Sequence, residues 1–326
     1  MRSELWAVAQ SSLSLYSPMM NQLAPIKAAM KTDRGRVRDH NEDFVQSQEP
    51  TTLEEEESYG WVYIVADGVG GADAGEFASE FATTQTLAHY SEDTEQAHFG
   101  HRLVKSMQSA NTDLRTHVAE SNDGKRMATT MVAAVVTNDR AYIANVGDSR
   151  GYHWRDKTIR QITKDQSLVA KLLEEGAITE EEAISHPHRN VILFSIGSEK
   201  TPKIELFEIA LAPGDKILLC SDGLTRHVSD DEISEVLEGH DLEHAATQLI
   251  QMANDRGGQD NISVAIIDFG EETGITEEQG SLVAMPQENN SGASSSLNRA
   301  FLIPFTALLS VVEAILIVLV WLLLRV

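Results

Sequence analysis

Residues 129–146 read TTMVAAVVTNDRAYIANV, and this stretch gives the clearest indication of the fold class. Two short runs rich in β-branched and aromatic residues, 129–137 and 140–146, flank Asn138 and Asp139, which are typical of a turn. Both runs therefore predict strands. Strands that follow one another this closely indicate an antiparallel sheet and not a βαβ alternation.

Further strands and helices follow from the same kind of pattern. Four more short apolar runs bounded by Gly, Asp or Asn predict strands at residues 26–32, 61–67, 216–222 and 261–269. Apolar residues at three-to-four spacing predict helices at residues 74–90, 97–119, 230–237 and 242–254. Paired strands with the helices segregated between them predict an antiparallel α+β sandwich. The acidic run at residues 54–57 is predicted to be a solvated loop.

Composition excludes several classes of protein. The 326 residues include 26 Lys and Arg against 50 Asp and Glu, a formal net charge of -24. A surface this acidic repels a phosphate backbone, which argues against a nucleic-acid partner. The single cysteine, Cys220, can neither close an intramolecular disulfide nor build a thiolate zinc cage, so a reducing compartment fits best.

The C-terminal end differs from the rest of the chain. Residues 300–324 read AFLIPFTALLSVVEAILIVLVWLLL, in which Glu313 is the only ionisable side chain. As a helix this segment would extend roughly 37 Å, more than the roughly 30 Å of a hydrocarbon core. We expect a single transmembrane helix that anchors the chain by its tail. Residues 1–20 lack a signal-peptide pattern, so we expect the preceding domain on the cytoplasmic side.

Four segments are therefore expected along the chain. Residues 1–24 form an N-terminal extension, 25–269 one globular domain, 270–299 an acidic and Ser-rich linker, and 300–324 the membrane anchor.

A carboxyl group at mid-membrane is stabilised by a hydrogen-bond partner, which leaves two alternatives for Glu313. The spans self-associate through paired Glu313 side chains, or a lone neutral Glu313 is tolerated.

Carboxylates recur at the ends of the predicted strands. Taken singly, each is a common turn or helix-cap residue. Taken together, carboxylates on several rigid strand ends can converge on one point, and Mg²⁺ and Mn²⁺ select such oxygen ligands. The residues concerned are Glu42, Asp43, Asp67, Asp148, Asp222 and Asp260.

The order and spacing of these motifs resemble the metal-dependent serine/threonine protein phosphatases, the PPM or type 2C family, in its bacterial form. The matching segments are TDRGRVRDHNEDF (32–44), VADGVGGADAG (65–75), MATT (127–130), NVGDSRG (145–151), TKDQS (163–167), EEAISHPHRNV (181–191), CSDGL (220–224) and DNIS (260–263). The resemblance implies a β-sandwich flanked by helix pairs, with two Mg²⁺ or Mn²⁺ ions at one end. It also implies hydrolysis of phosphoserine and phosphothreonine on proteins that a kinase has phosphorylated.

The same resemblance assigns the metal ligands. Asp67 would bridge the two metals and the Gly68 carbonyl would bind the second. Asp222 and Asp260 would complete the first site, and Glu42 would serve the second, directly or through water. Two such metals activate a bridging water, so no protein nucleophile is required.

Other residues would support this centre. Asp43 and Asn261 resemble residues that do not bind the metals themselves but orient the ligands that do. Asp148, together with Asp222, resembles a weaker site for a third ion. Arg38 matches the arginine that grips the substrate phosphate, a task for which a planar guanidinium is suited.

One position departs from the animal members of the family, which carry a proposed acidic His directly after the Asp-Gly. Val69 occupies that place here, so the general acid is unassigned. His186 and His188 lie in residues 164–191, which resemble the family's mobile flap, and we do not assign them to catalysis.

Two alternative functions remain open. Residues 147–151 satisfy G-x-S-x-G, the nucleophile elbow of serine esterases, with Ser149 as nucleophile. That motif requires a helix next, whereas residues 152–159 favour a hairpin. A phosphoprotein-binding pseudophosphatase held at the membrane would need lost ligands, and Asp67, Asp222 and Asp260 are all present.

Overall fold

Two antiparallel sheets form the centre of the computed structural model, which describes residues 23–121 and 127–270. The first sheet has the strand order β1-β11-β10-β7-β8. Its strands are β1 Ile26–Asp33, β7 Arg150–Arg155, β8 Thr158–Gln161, β10 Asp215–Cys220 and β11 Ile262–Phe269.

The second sheet has the order β2-β3-β5-β6-β9, and a short β4 pairs with β3. Its strands are β2 Asp43–Gln48, β3 Trp61–Val69, β4 Ala128–Thr129, β5 Met131–Val136, β6 Arg140–Val146 and β9 Glu205–Ala210. The hairpin predicted from residues 129–146 is present as β5 and β6, with Met131 opposite Val146.

Helices pack on the outer faces of both sheets, and others lie in the segments between strands. They are α1 Leu53–Tyr59, α2 Ala72–Glu92, α3 Phe99–Ser121, α4 Leu168–Glu174, α5 Glu180–Ser185, α6 Asp222–Thr225, α7 Asp230–Gly239 and α8 Leu242–Asp255. Helix α7 begins directly after Ser229, because Ser229 and Glu232 form a capping box. The predicted α+β class with antiparallel sheets is confirmed.

Alternating side chains of β3 divide the core into layers. Val62 and Ile64 point outward and pack with residues of α2 and α3, including Ala78. Tyr63 and Val65 point inward, toward residues of the first sheet. A second outer layer joins the first sheet to α7 and α8. Strands buried on both faces read as continuous apolar runs, which explains the sequence of β5.

One expectation was wrong. Residues 54–57 form part of helix α1 and not a loop, because Thr52 caps the helix by accepting a hydrogen bond from the Glu55 amide. Glu56 is buried and accepts hydrogen bonds from Trp61 Nε1 and the Ala24 amide, at 3.2 and 3.1 Å. It ties the start of the domain to the second sheet.

The expected extension, linker and anchor fall almost wholly outside the described residues. Residues 1–22 and 271–326, including Glu313, belong to that part of the chain. Among residues 23–121 and 127–270, no helix combines the length and apolarity that crossing a bilayer needs.

Candidate metal centre

The predicted carboxylates gather at one end of the sandwich because their strands begin or end there. Asp43 opens β2 and lies directly opposite Asp67 of β3. Asp148 stands between β6 and β7, Asp222 follows β10, and Asp260 precedes β11. Asp67 experiences electrostatic repulsion from all four of these neighbours. The structure therefore brings the predicted site together.

Burial and mutual repulsion disfavour the ionised form of these groups. Both effects raise the pKa of Asp67 well above its ordinary value, with burial the larger cause. Burial raises the pKa of Asp43 to about 7 and that of Asp148 to about 8, and repulsion from Asp222 contributes to both. A nearby cation would favour the ionised carboxylates. Their surroundings thus suit a positively charged ligand.

Unpartnered oxygens point to the same ligand class. Asp43 Oδ1, Asp148 Oδ1 and Asp222 Oδ1 are buried and have no hydrogen-bond partner among the described residues. Such atoms are rare in folded proteins because an unpaired buried polar group is costly. Carboxylate oxygens are the ligands that Mg²⁺ and Mn²⁺ prefer. The residues fit a hard divalent cation.

Glu42 is held in place through its backbone. Its amide donates to Asn261 Oδ1 at 2.8 Å, and its carbonyl accepts from the Gly68 amide at 3.1 Å. Asn261 Nδ2 in turn donates to the carbonyls of Arg34 and His40, at 2.8 and 2.9 Å. Asn261 therefore fixes the loop that carries Glu42.

Gly75 makes room for the Glu42 carboxylate, and Gly68 makes room for the Gly75 backbone. A Cβ on Gly75 would lie 2.2 Å from Glu42 Oε2, and a Cβ on Gly68 would lie 2.1 Å from the Gly75 carbonyl oxygen. Neither position tolerates a side chain without a shift. The signal was present in the glycine-rich segment DGVGGADAG, which begins at Asp67 and ends at Gly75.

Ser221 holds Asp43, a contact that the sequence did not reveal. Its hydroxyl donates to Asp43 Oδ2 at 2.7 Å and accepts from the Ser263 amide at 2.9 Å. This leaves only Asp43 Oδ1 unpartnered. The geometry agrees with a role for Asp43 behind the ligands.

Two arginines neutralise part of the cluster. Arg38 Nη2 lies 2.8 Å from Asp260 Oδ1, and the Arg38 side chain is 44% exposed. Arg226, which sequence reasoning missed, pairs with Asp222 and reaches Asp260 Oδ2 at 3.4 Å. Within the described ranges, no group of three His, Cys, Asp or Glu side chains stands ready to hold a metal ion. The two arginines engage carboxylate oxygens of two predicted ligands, Asp222 and Asp260.

The structure does not favour Ser149 as an esterase nucleophile. Its side chain is 0% exposed, and its hydroxyl is 2.8 Å from the Thr130 hydroxyl. Strand β7 follows it, where a nucleophile elbow requires a helix. Residues 152–159 form the β7–β8 hairpin that was predicted.

The predicted flap carries two histidines, of which His186 is half-buried and His188 is exposed. His186 and His188 follow α5, and the His188 amide donates to His186 Nδ1 at 3.1 Å. Their local contact needs no ligand to explain it.

Comparison with known proteins identifies the class to which this fold and site belong. Residues 37–265 match the family described as protein phosphatase 2C. The serine/threonine phosphatase stp of Listeria monocytogenes is 38% identical over 245 residues, which cover 74% of this chain and 95% of that protein.

Solved structures agree. The Mycobacterium tuberculosis phosphatase PstP/Ppp has a TM-score of 0.66 at 36% identity, covering 76% of this chain and 99% of that one. The catalytic domain of PstP in complex with two manganese ions has a TM-score of 0.63 at 35% identity. The match covers 74% of this chain and 97% of that one. The chain belongs to the protein phosphatase 2C family. The predictions of this family and of a phosphatase enzyme are confirmed.

Proposed function

We propose that the chain hydrolyses phosphoserine and phosphothreonine on proteins phosphorylated by a serine/threonine kinase. The observation that carries this proposal is the convergence of Asp43, Asp148, Asp222 and Asp260 on Asp67, with unpartnered oxygens among them. The serine/threonine phosphatases that resemble the chain, one of them with two manganese ions, support it.

The residues that would hold two Mg²⁺ or Mn²⁺ ions are Asp67, the Gly68 carbonyl, Asp222, Asp260 and Glu42. Such ions supply an activated water nucleophile and stabilise the charge that develops on the phosphoryl group. Asn261 and Ser221 keep the carboxylates aimed at the site, and Gly75 leaves the space that the Glu42 carboxylate occupies.

Arg38 would bind the substrate phosphate. The Arg38 side chain is exposed at the rim of the cluster, so a phosphopeptide can reach it. A planar fork forms two parallel hydrogen bonds to phosphate oxygens.

The experiment that tests this function is hydrolysis of a phosphothreonine peptide by the full chain, with Mn²⁺ or with a chelator. Turnover with Mn²⁺ that the chelator abolishes is the expected result. Phosphopeptide binding without turnover would favour the pseudophosphatase. A pseudophosphatase would have lost metal ligands, whereas Asp67, Asp222 and Asp260 are all present. The pseudophosphatase is therefore not favoured.

We also propose that residues 300–324 anchor the enzyme to a membrane, with residues 25–269 as the catalytic domain on the cytoplasmic side and 270–299 as the linker. The apolar run of the sequence supports this. The spans would associate in pairs through Glu313. Crosslinking in detergent tests this pairing, because Glu313→Leu should lower the dimer yield, and equal yields would leave Glu313 without a role.

A further inference from the structure

Arg226 lies inside the acidic cluster although no step of the proposed reaction uses it. It directly follows the short helix α6, four residues after Asp222, so the two side chains lie on the same side. Its guanidinium forms an ion pair with Asp222, and its Nη1 lies 3.4 Å from Asp260 Oδ2. Only 27% of the side chain is exposed. Arg226 is therefore a partly desolvated charge among predicted metal ligands.

The backbone and the cluster together fix this position. The Arg226 amide donates to the Asp222 carbonyl at 3.0 Å, which closes the turn that places the side chain. Every hydrogen bond of its guanidinium to the described residues goes to Asp222 or Asp260. The nearby Arg256 differs, because it pairs with Glu232 and bonds the His227 carbonyl outside the cluster.

The charge of Arg226 also acts on Asp148. Asp222 is the carboxylate that repels Asp148 most strongly, and Arg226 is a positive charge that offsets this repulsion. Asp148 and Asp222 are the residues for which the family resemblance implies a weak site for a third cation. A guanidinium held at these carboxylates repels a divalent ion, and it occupies Asp222 Oδ2, an oxygen that such an ion would need.

We propose that Arg226 takes the place of the third cation, so that this chain binds two divalent ions and carries its third positive charge as a side chain. Asp222 keeps its unpartnered Oδ1 for one of the two ions. The inference rests on the proposed metal centre. It makes Arg226 a residue that sets the metal stoichiometry.

Equilibrium dialysis of the full chain in detergent against saturating Mn²⁺ tests the proposal by counting bound ions. The unaltered chain should bind two ions, and Arg226→Ala should bind three. Adding Asp148→Asn to Arg226→Ala should return the count to two, because it removes a ligand of the freed site. Arg226→Lys keeps the charge and should also bind two.

Arg256→Ala is the matched control and should leave the count at two, since Arg256 lies outside the cluster. A count of three for the unaltered chain, or of two for Arg226→Ala, would overturn the role of Arg226. A count of zero for the unaltered chain would instead overturn the proposed metal centre. Thermal unfolding would show whether Arg226→Ala folds. If it does not, Arg226→Gln should bind three ions in its place. The number of ions bound by the unaltered chain tests the proposal in either case.

Discussion

Asp43 and Asp67 lie directly opposite each other on the neighbouring antiparallel strands β2 and β3. Like charges in this arrangement destabilise a sheet, because the paired side chains are only about 5 Å apart at Cβ. Asp43 is nevertheless buried, and Asp222, Asp148 and Asp260 add to the repulsion at Asp67. The second sheet thus carries a local strain that a bound cation would relieve.

The stabilisation of the protein by Mn²⁺ should increase with pH. Burial raises the pKa of Asp43 to about 7 and that of Asp148 to about 8 in the folded protein, from an ordinary value of 3.8. Folding therefore retains protons that the unfolded chain releases, so these groups make the metal-free protein less stable as the pH rises from about 4 to 8. Metal binding requires the ionised carboxylates and so benefits from the same rise.

Thermal unfolding with Mn²⁺ and with a chelator, at pH 5 and at pH 8, measures this effect. We expect the increase in Tm on adding Mn²⁺ to be larger at pH 8. Equal increases at both pH values would show that these carboxylates do not take up the metal.

Gly75→Ala should weaken metal binding without weakening the helix. The added Cβ would lie 2.2 Å from Glu42 Oε2 and push the carboxylate away, whereas alanine in α2 is favoured over glycine by about 1 kcal/mol. Mn²⁺ affinity should therefore fall while the Tm of the metal-free protein is kept. Gly239→Ala, at the end of α7 with open space around it, is the control and should change neither. Unchanged affinity in Gly75→Ala would remove Glu42 from the site.

Arg38→Ala should raise KM for phosphopeptides more than it lowers kcat. The guanidinium forms charge-assisted hydrogen bonds to phosphate, and the loss of one such contact corresponds to about a 10- to 100-fold change in KM. Steady-state kinetics measures the two constants separately. Arg36→Ala, an exposed arginine of the same loop, is the control. If KM stays the same in Arg38→Ala, the metals alone hold the phosphate.

Ending the chain at Arg299 should release an enzyme that is fully active and no longer bound to membranes. All predicted ligands precede residue 269, and the apolar run follows residue 299. Fractionation after a salt wash, with turnover assayed in both fractions, gives the result. Truncated protein that still sediments with membranes would show that residues 300–324 are not the anchor.

Some elements of the fold followed from the sequence because local pattern and burial agree. Strand β6 was predicted at its observed bounds, since it is buried except at Arg140 and ends at a glycine. Strands β2 and β9 were missed because both are edge strands whose polar and half-exposed residues blur the alternation. Helix α1 was missed because its acidic residues suggested solvent, although Glu56 is buried.

The site followed from its motifs only in part. Most of the carboxylates could be singled out because they lie at the ends of apolar strands, whereas Glu42 and Asp43, at the start of the polar strand β2, were assigned from the resemblance of their motif to the family. Contacts between distant segments left no such signal: Ser221 reaches Asp43 across 178 positions of sequence. Arg226 was equally hidden, because its pairing with Asp260 depends on how β10 and β11 lie together.

Turnover of a phosphothreonine peptide by Asp222→Asn, in saturating Mn²⁺, tests the central claim most directly. The change is nearly isosteric, so the fold should remain, while kcat should fall by more than the roughly 10- to 100-fold expected for a residue behind the ligands. Asp231→Asn, at an exposed position in the first turn of α7, should keep the full rate. Retention of most of the rate by Asp222→Asn would contradict a metal centre built on the carboxylates around Asp67.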